Sequence, residues 1–182
     1  AHMLGEARAL PALRDFAPCQ PMLDPDQVLL FAHDPKHATP WELELIDHRS
    51  LASIGLDEVK ASPIDAASAA VAHAEKTWDT MLVHFDVDTV DFTDAPLSEN
   101  AGRNSGLSLA VAFAALRTLV HSHRLGALTI TEMNPDHGAE DGSTVARFVE
   151  GLVGCLSGTS TPVPGARSPS GTLFQREGNL RG

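Results

Sequence analysis

The amino-acid order predicts an α/β chain, a parallel sheet with helices on its faces. Three observations carry this. Short apolar runs of strand length occur at 28–32 (VLLFA), 52–54 (ASI), 81–85 (MLVHF) and 127–131 (ALTIT). Segments with helical patterning separate them. The resulting alternation is that of parallel strands joined by crossover helices.

Each element has its own signal. Ala1-His2-Met3 is followed by a mixed helical stretch, not by the apolar run of a signal peptide. VLLFA reads as a buried strand that His33-Asp34-Pro35 breaks. Thr39-Pro40-Trp41-Glu42 supplies an N-cap, a proline at the first helical position and an early acid, so a helix should run to about Arg49. The run at 52–54 is a minimal strand ended by Gly55. Ser62-Pro63 opens the next helix, with Ile64, Ala67, Ala70, Val71 and Ala74 on or near one face. After the strand at 81–85 comes a Ser-, Asn- and Gly-rich loop, 96–106. The stretch 107–121 is apolar nearly all round and predicts an inner helix. ALTIT is the last strand, and Gly142-Ser143-Thr144 starts a helix reaching Cys155. From Ser157 the chain turns to Ser, Gly, Thr and Pro. The expected division is a domain at 1–156 and a tail at 157–182, with Leu173-Phe174 docking locally.

Composition excludes several roles. The length of 182 residues suits one domain or part of a larger one. A formal net charge of -11 argues against nucleic-acid or anionic-membrane partners, which require clustered Lys and Arg. No stretch approaches the ~20 apolar residues of a membrane span. Cys19 and Cys155 form no CxxC, which reads as free thiols in a reducing, cytoplasmic compartment. Phosphate-loop and GxSxG patterns are absent from the sequence.

In parallel sheets, ligands sit beyond the carboxyl ends of the strands. The stretch VHFDVDTVDF at 83–92 puts Asp86 and Asp88 at one such end, and Glu132 follows ALTIT at another. These three acids should converge. Alternate strand residues point the same way, so Asp86 and Asp88 can face one hard divalent cation, Mg, Ca or Mn. The competing role for the pair is capping a turn. Glu132 would suit a cationic substrate or a bond to a metal ligand. In the turn at 136–142, Asp141 or Ser143 can cap the last helix, and His137 can touch substrate. His84 should pack or orient Asp86. His121-Ser122-His123 sits at a helix end, where cations are favoured structurally. His48 and His73 read as surface residues, and His33 and His37 are ambiguous.

Taken together, FDVDTVDF, then Gly106-Leu107-Ser108 opening a helix, then LTITEMNPDHG, resemble the arginase/agmatinase (ureohydrolase) superfamily over about residues 25–155. VLLFAHD resembles the strand before them. The resemblance implies a three-layer α/β/α arginase-like fold, here the C-terminal half with an incomplete sheet. It implies two manganese ions, Asp86 bridging both and Asp88 binding one, with Glu132 recognising a guanidinium. It further implies urea-type hydrolysis of a small guanidino or amidine substrate, and a trimer or hexamer. The family's DAHxD and GGDH blocks are absent, and with them its general acid, so no catalytic residue is assigned. Phe92 stands where relatives have proline, and LSENAGRNS at 97–105 replaces a Gly/Thr/Pro loop, with Glu99, Arg103 and Asn104 reshaping the pocket. Two alternatives accompany this reading. One is a non-catalytic relative. The other is a phosphatase loop in which Asp86 attacks phosphorus.

Overall fold

The computed structural model describes residues 1–102 and 104–158. Arg103, most of the expected tail and Leu173-Phe174 lie outside the described residues.

The helices are α1 Pro11–Arg14, α2 Pro40–His48, α3 Leu56–Ala61, α4 Pro63–Thr77, α5 Leu109–Val120 and α6 Ser143–Ser157. The strands are β1 Leu29–His33, β2 Ala52–Gly55, β3 Met81–Asp86 and β4 Leu125–Thr131. Every strand pairing is parallel, as the alternation requires. The strands form two separate two-stranded sheets, β1–β2 and β3–β4, rather than one continuous sheet. This is part of the predicted α/β arrangement. One face of β3–β4 stays open, with Leu82 72% exposed beside the exposed Ala127. Parallel sheets are usually covered on both faces.

Local chemistry explains most boundaries. Thr39 accepts the Glu42 amide at 3.3 Å, and the Glu42 carboxylate takes the Thr39 amide at 2.7 Å, a complete capping box for α2. The Thr39 amide and hydroxyl hold the Glu42 carboxyl below its ordinary value. A carboxyl depressed on folding adds stability above its unfolded pKa and loses it as pH falls through the folded one. Thr39→Ala should therefore cost about 1 kcal/mol at neutral pH. That difference should shrink on acidification below the carboxylate range, as measured by urea unfolding at a series of pH values.

Four alanines, Ala66, Ala67, Ala70 and Ala74, bury the inner face of α4. Ile64, expected on that face, is 59% exposed. The buried stripe of α4 begins at Ala66 and Ala67, and Ile64 lies outside it. α5 is the packed inner helix its composition predicts, with Leu109, Phe113, Leu116 and Leu119 buried. α6 packs on it through Gly151, where a Cβ would meet the Phe113 ring at 2.2 Å. Phe148, 2% exposed, lies parallel to Phe85 at 6.2 Å and tilted against Phe113 at 5.5 Å. Through this aromatic set, α5 and α6 brace the end of β3. The segment before β1 is tied down by Arg49 on Glu6 at 2.6 Å and by the Trp78 indole on the Asp26 carbonyl at 2.9 Å.

Candidate functional site

Parallel register aligns Asp86 with Thr131, so β3 and β4 end side by side. Asp86 leads directly into a 3-10 turn, Val87–Thr89, and its Oδ1 accepts the Asp88 amide at 2.9 Å. Asp88 is a buried carboxylate, 8% exposed, with Oδ1 3.4 Å from the Asn100 amide. Asp91 accepts both the amide and the hydroxyl of Thr93, at 2.9 and 2.6 Å. Asp94 Oδ2 takes the Leu109 amide at 2.7 Å and helps Ser108 start α5. Asp86, like Asp91 and Asp94, therefore holds a turn, which is the competing role for that residue, and Asp88 is joined to the loop at Asn100.

Glu132 follows β4 immediately, is exposed and has φ of 56°, a left-handed conformation uncommon for a residue with a Cβ. Strained backbone of this kind clusters at functional sites. Loop residues 97–100 join the two strand ends. Ser98 forms an antiparallel bridge with Met133, the Glu99 amide donates to the Glu132 carbonyl at 2.9 Å, and the Asn134 amide donates to the Leu97 carbonyl at 2.7 Å. The Asn134 side chain donates to Glu99 Oε2 at 2.9 Å. His137 Nδ1 lies 2.9 Å from the Ser98 carbonyl, so that nitrogen carries the proton. Its ring meets Phe92 edge-on at 5.8 Å. The structure therefore places Asp86, Asp88, Glu132 and His137 around one loop at one end of the sheet.

Other histidines differ from expectation or resolve an ambiguity. His84 does not bond Asp86. Its two nitrogens reach Thr129 and Thr131 on β4, at 3.0 and 3.1 Å, because the register sets those threonines alongside. His73 is not a free surface residue, since it packs edge-on against Trp78 at 5.5 Å. His121 bonds the Arg117 carbonyl at 2.7 Å and His123 pairs with Glu75 at 3.0 Å, both structural roles. His37 pairs with Asp34 at 2.7 Å. Asp141 takes the Ser143 amide at 2.9 Å, and the Ser143 hydroxyl and amide hold its carboxyl below the usual range. Gly142, in a left-handed conformation, is the actual cap of α6. Asn134 is the site residue that sequence reasoning passed over, although Asn-Pro is a turn-initiating pair.

Asp86 and Asp88 are hard-oxygen donors suited to a divalent ion in kind. They do not suit it in number: among the described residues, no group of three or more His, Cys, Asp or Glu is placed to hold a metal. Two clefts lie elsewhere on the surface, and neither is lined by Asp86, Asp88, Glu132 or His137. One, of about 270 Å³, is lined by His33, Lys36, Asp57 and Lys60, with Lys60 donating to the Ser105 carbonyl at 2.6 Å. The other, of about 420 Å³, lies between Asp94 and the start of α6.

No family model matches the sequence, and no curated protein matches it. Solved structures do match. An arginase from Bacillus caldovelox superposes with a TM-score of 0.76 at 20% identity, over 88% of this chain and 52% of that one. The chain has part of an arginase-like fold. An Entamoeba histolytica arginase, solved in complex with L-ornithine, gives a TM-score of 0.69 at 17% identity, over 84% of this chain and 51% of that one. A formimidoylglutamase from Bacillus subtilis gives 0.65 at 14% identity, over 75% and 42%. The arginase-like chain thus spans about half the length of these structures. No helix among the described residues is long and apolar enough to cross a membrane.

Proposed function

We propose that this chain contributes part of the active site of a metal-dependent hydrolase that cleaves guanidino or other linear amidine C–N bonds. The supporting observation is the placement of Asp86, Asp88 and Glu132 at adjacent strand ends of an arginase-like fold. On this reading Asp86 and Asp88 would supply carboxylate oxygens to a two-manganese centre, Asp86 to both ions and Asp88 to one. Polypeptide matching the half of the neighbours that this chain does not span supplies the remaining ligands and the general acid. Bound manganese would supply an activated water at neutral pH. Glu132 would carry the countercharge for the substrate's cationic carbon centre. His137 would reach substrate through Nε2, because Nδ1 is committed to the Ser98 carbonyl. We place the protein in the cytoplasm, as a trimer or hexamer acting on a small molecule.

Asp86→Asn removes one charge from the bridging position and should lower manganese content per chain. Urea release by the metal-loaded protein should fall about 100-fold or more. Metal analysis and a urea assay on the same preparation check both. Unchanged manganese content in that variant would sink the assignment. The incomplete ligand group among the described residues favours a second reading, a non-catalytic arginase-like protein. It predicts intact folding with no stoichiometric manganese and no urea release.

A further inference from the structure

We infer that the outer face of α6 is a docking surface for the chain's own C-terminal segment. Leu173 and Phe174 cover Val149, Val153 and Leu156, and Arg176 pairs with Glu150. Docking there is independent of the hydrolase reading.

The solvent side of α6 lacks the charge that such a face normally carries. Val145, Phe148, Leu152 and Cys155 turn toward the core. Ala146, Val149, Val153 and Leu156 recur on the opposite side. Val149, Val153 and Leu156 are 47, 56 and 54% exposed. A surface helix usually sets charged residues there, as α2 does with Glu42, Glu44 and Asp47. α6 has two charged residues, Arg147 and Glu150. Arg147 is turned to the Asp94 carbonyl. Glu150 is exposed, and among the described residues it has no ion pair. The cleft between Asp94, Pro96 and the first turns of α6 runs beside it.

The size of this face selects its occupant. A helix of 15 residues presents about 22 Å by 10 Å, roughly 220 Å². A stable dimer needs about 800 Å² per partner, so a second copy finds too little here. A tethered segment needs less, because docking is intramolecular. The chain leaves α6 at Gly158, whose left-handed φ of 71° ends the helix. Residues 159–182 follow, outside the described residues. Their first part is rich in Ser, Thr, Pro and Gly and leads to Leu173-Phe174, the one adjacent pair of large apolar residues in that segment. The chain from Gly158 to Leu173 reaches up to about 50 Å, whereas Val149 lies about 13 Å back along the helix. A linker of that length keeps the pair at an effective concentration of order millimolar. Charge agrees. The segment holds three arginines and one glutamate, in a chain of formal net charge -11. Glu150 and Val153 are neighbours on the helix surface, so a ring seated on Val153 brings Arg176 to Glu150.

The test is limited trypsin digestion of the full chain, with methyl NMR beside it. Val153→Asp leaves the tail sequence unchanged. It should speed cleavage after Arg176 about tenfold and leave cleavage after Arg167 within about twofold. In the wild type, Phe174 ring protons should show NOEs to methyl groups of Val149, Val153 or Leu156. Those contacts should persist on dilution from about 1 mM to about 50 μM, as an intramolecular contact must. If Val153→Asp fails to fold, Phe174→Ala decides instead. It should shift the same methyl resonances while the α5 and β3 amides stay in place. Equal cleavage after Arg176 in wild type and Val153→Asp, or absent NOEs, would overturn the inference. So would methyl shifts that follow concentration and not Phe174, which would give the face to a second copy.

Discussion

Phe148→Ala should destabilise the fold by about 3–5 kcal/mol and lower Tm by about 10–15 °C. The ring is 2% exposed and lies between Phe85 and Phe113, so its loss removes both transfer energy and the contacts of two further rings. The cavity would not collapse easily. Gly151 already brings α6 as close to Phe113 as backbone allows. Phe85 is also the residue before Asp86, so the same change loosens the strand end that carries the candidate ligand. Urea unfolding should show a lower midpoint with an unchanged slope. A cost below about 1 kcal/mol would mean that this ring does not organise the core.

Gly106→Ala should cost about 3 kcal/mol, the upper end of overpacking effects, and should disturb the site more than its distance along the chain suggests. A Cβ there would lie 2.6 Å from the Thr89 carbonyl oxygen, the Val90 carbonyl carbon and the Asp91 nitrogen. All three are backbone atoms, so no side-chain rotation can relieve the contact. The neighbouring bonds, Leu107 amide to Thr89 carbonyl at 2.8 Å and Asp91 amide to Leu107 carbonyl at 2.7 Å, clamp the turn that carries Asp88. Unfolding midpoint and amide NMR shifts at 86–91 should both change. Wild-type stability in this variant would show that the close approach is dispensable.

What the residues disclosed in advance was mostly local. The Thr39 cap, the inner helix and the strand ends at Asp86 and Glu132 rest on residue type and spacing, which act over a few positions. α3 went unread because six residues, LDEVKA, are too few to display a helical period. The exposure of Ile64 and the division into two sheets depend on which elements meet in three dimensions. The same holds for the site. Its acids were legible as strand-end carboxylates, but the hydrogen bond from Asn134 to Glu99 spans 35 positions and has no local signature. His84 illustrates the limit from the other side. Alternation placed it on the same face as Asp86, yet the neighbouring strand's threonines claimed its ring.

Register in β3–β4 also bears on how the molecule assembles. His84 and its ladder neighbour Thr129 are 45 positions apart, so each bond between these strands closes a long loop. Parallel pairing permits no hairpin shortcut, and the connection between the two strands is a crossover that includes α5. Non-local pairings of this kind form slowly. During synthesis, β3 would emerge and wait, its ladder groups hydrated, until β4 left the ribosome. Asp86 and Glu132 would then be among the last parts of the chain to find each other.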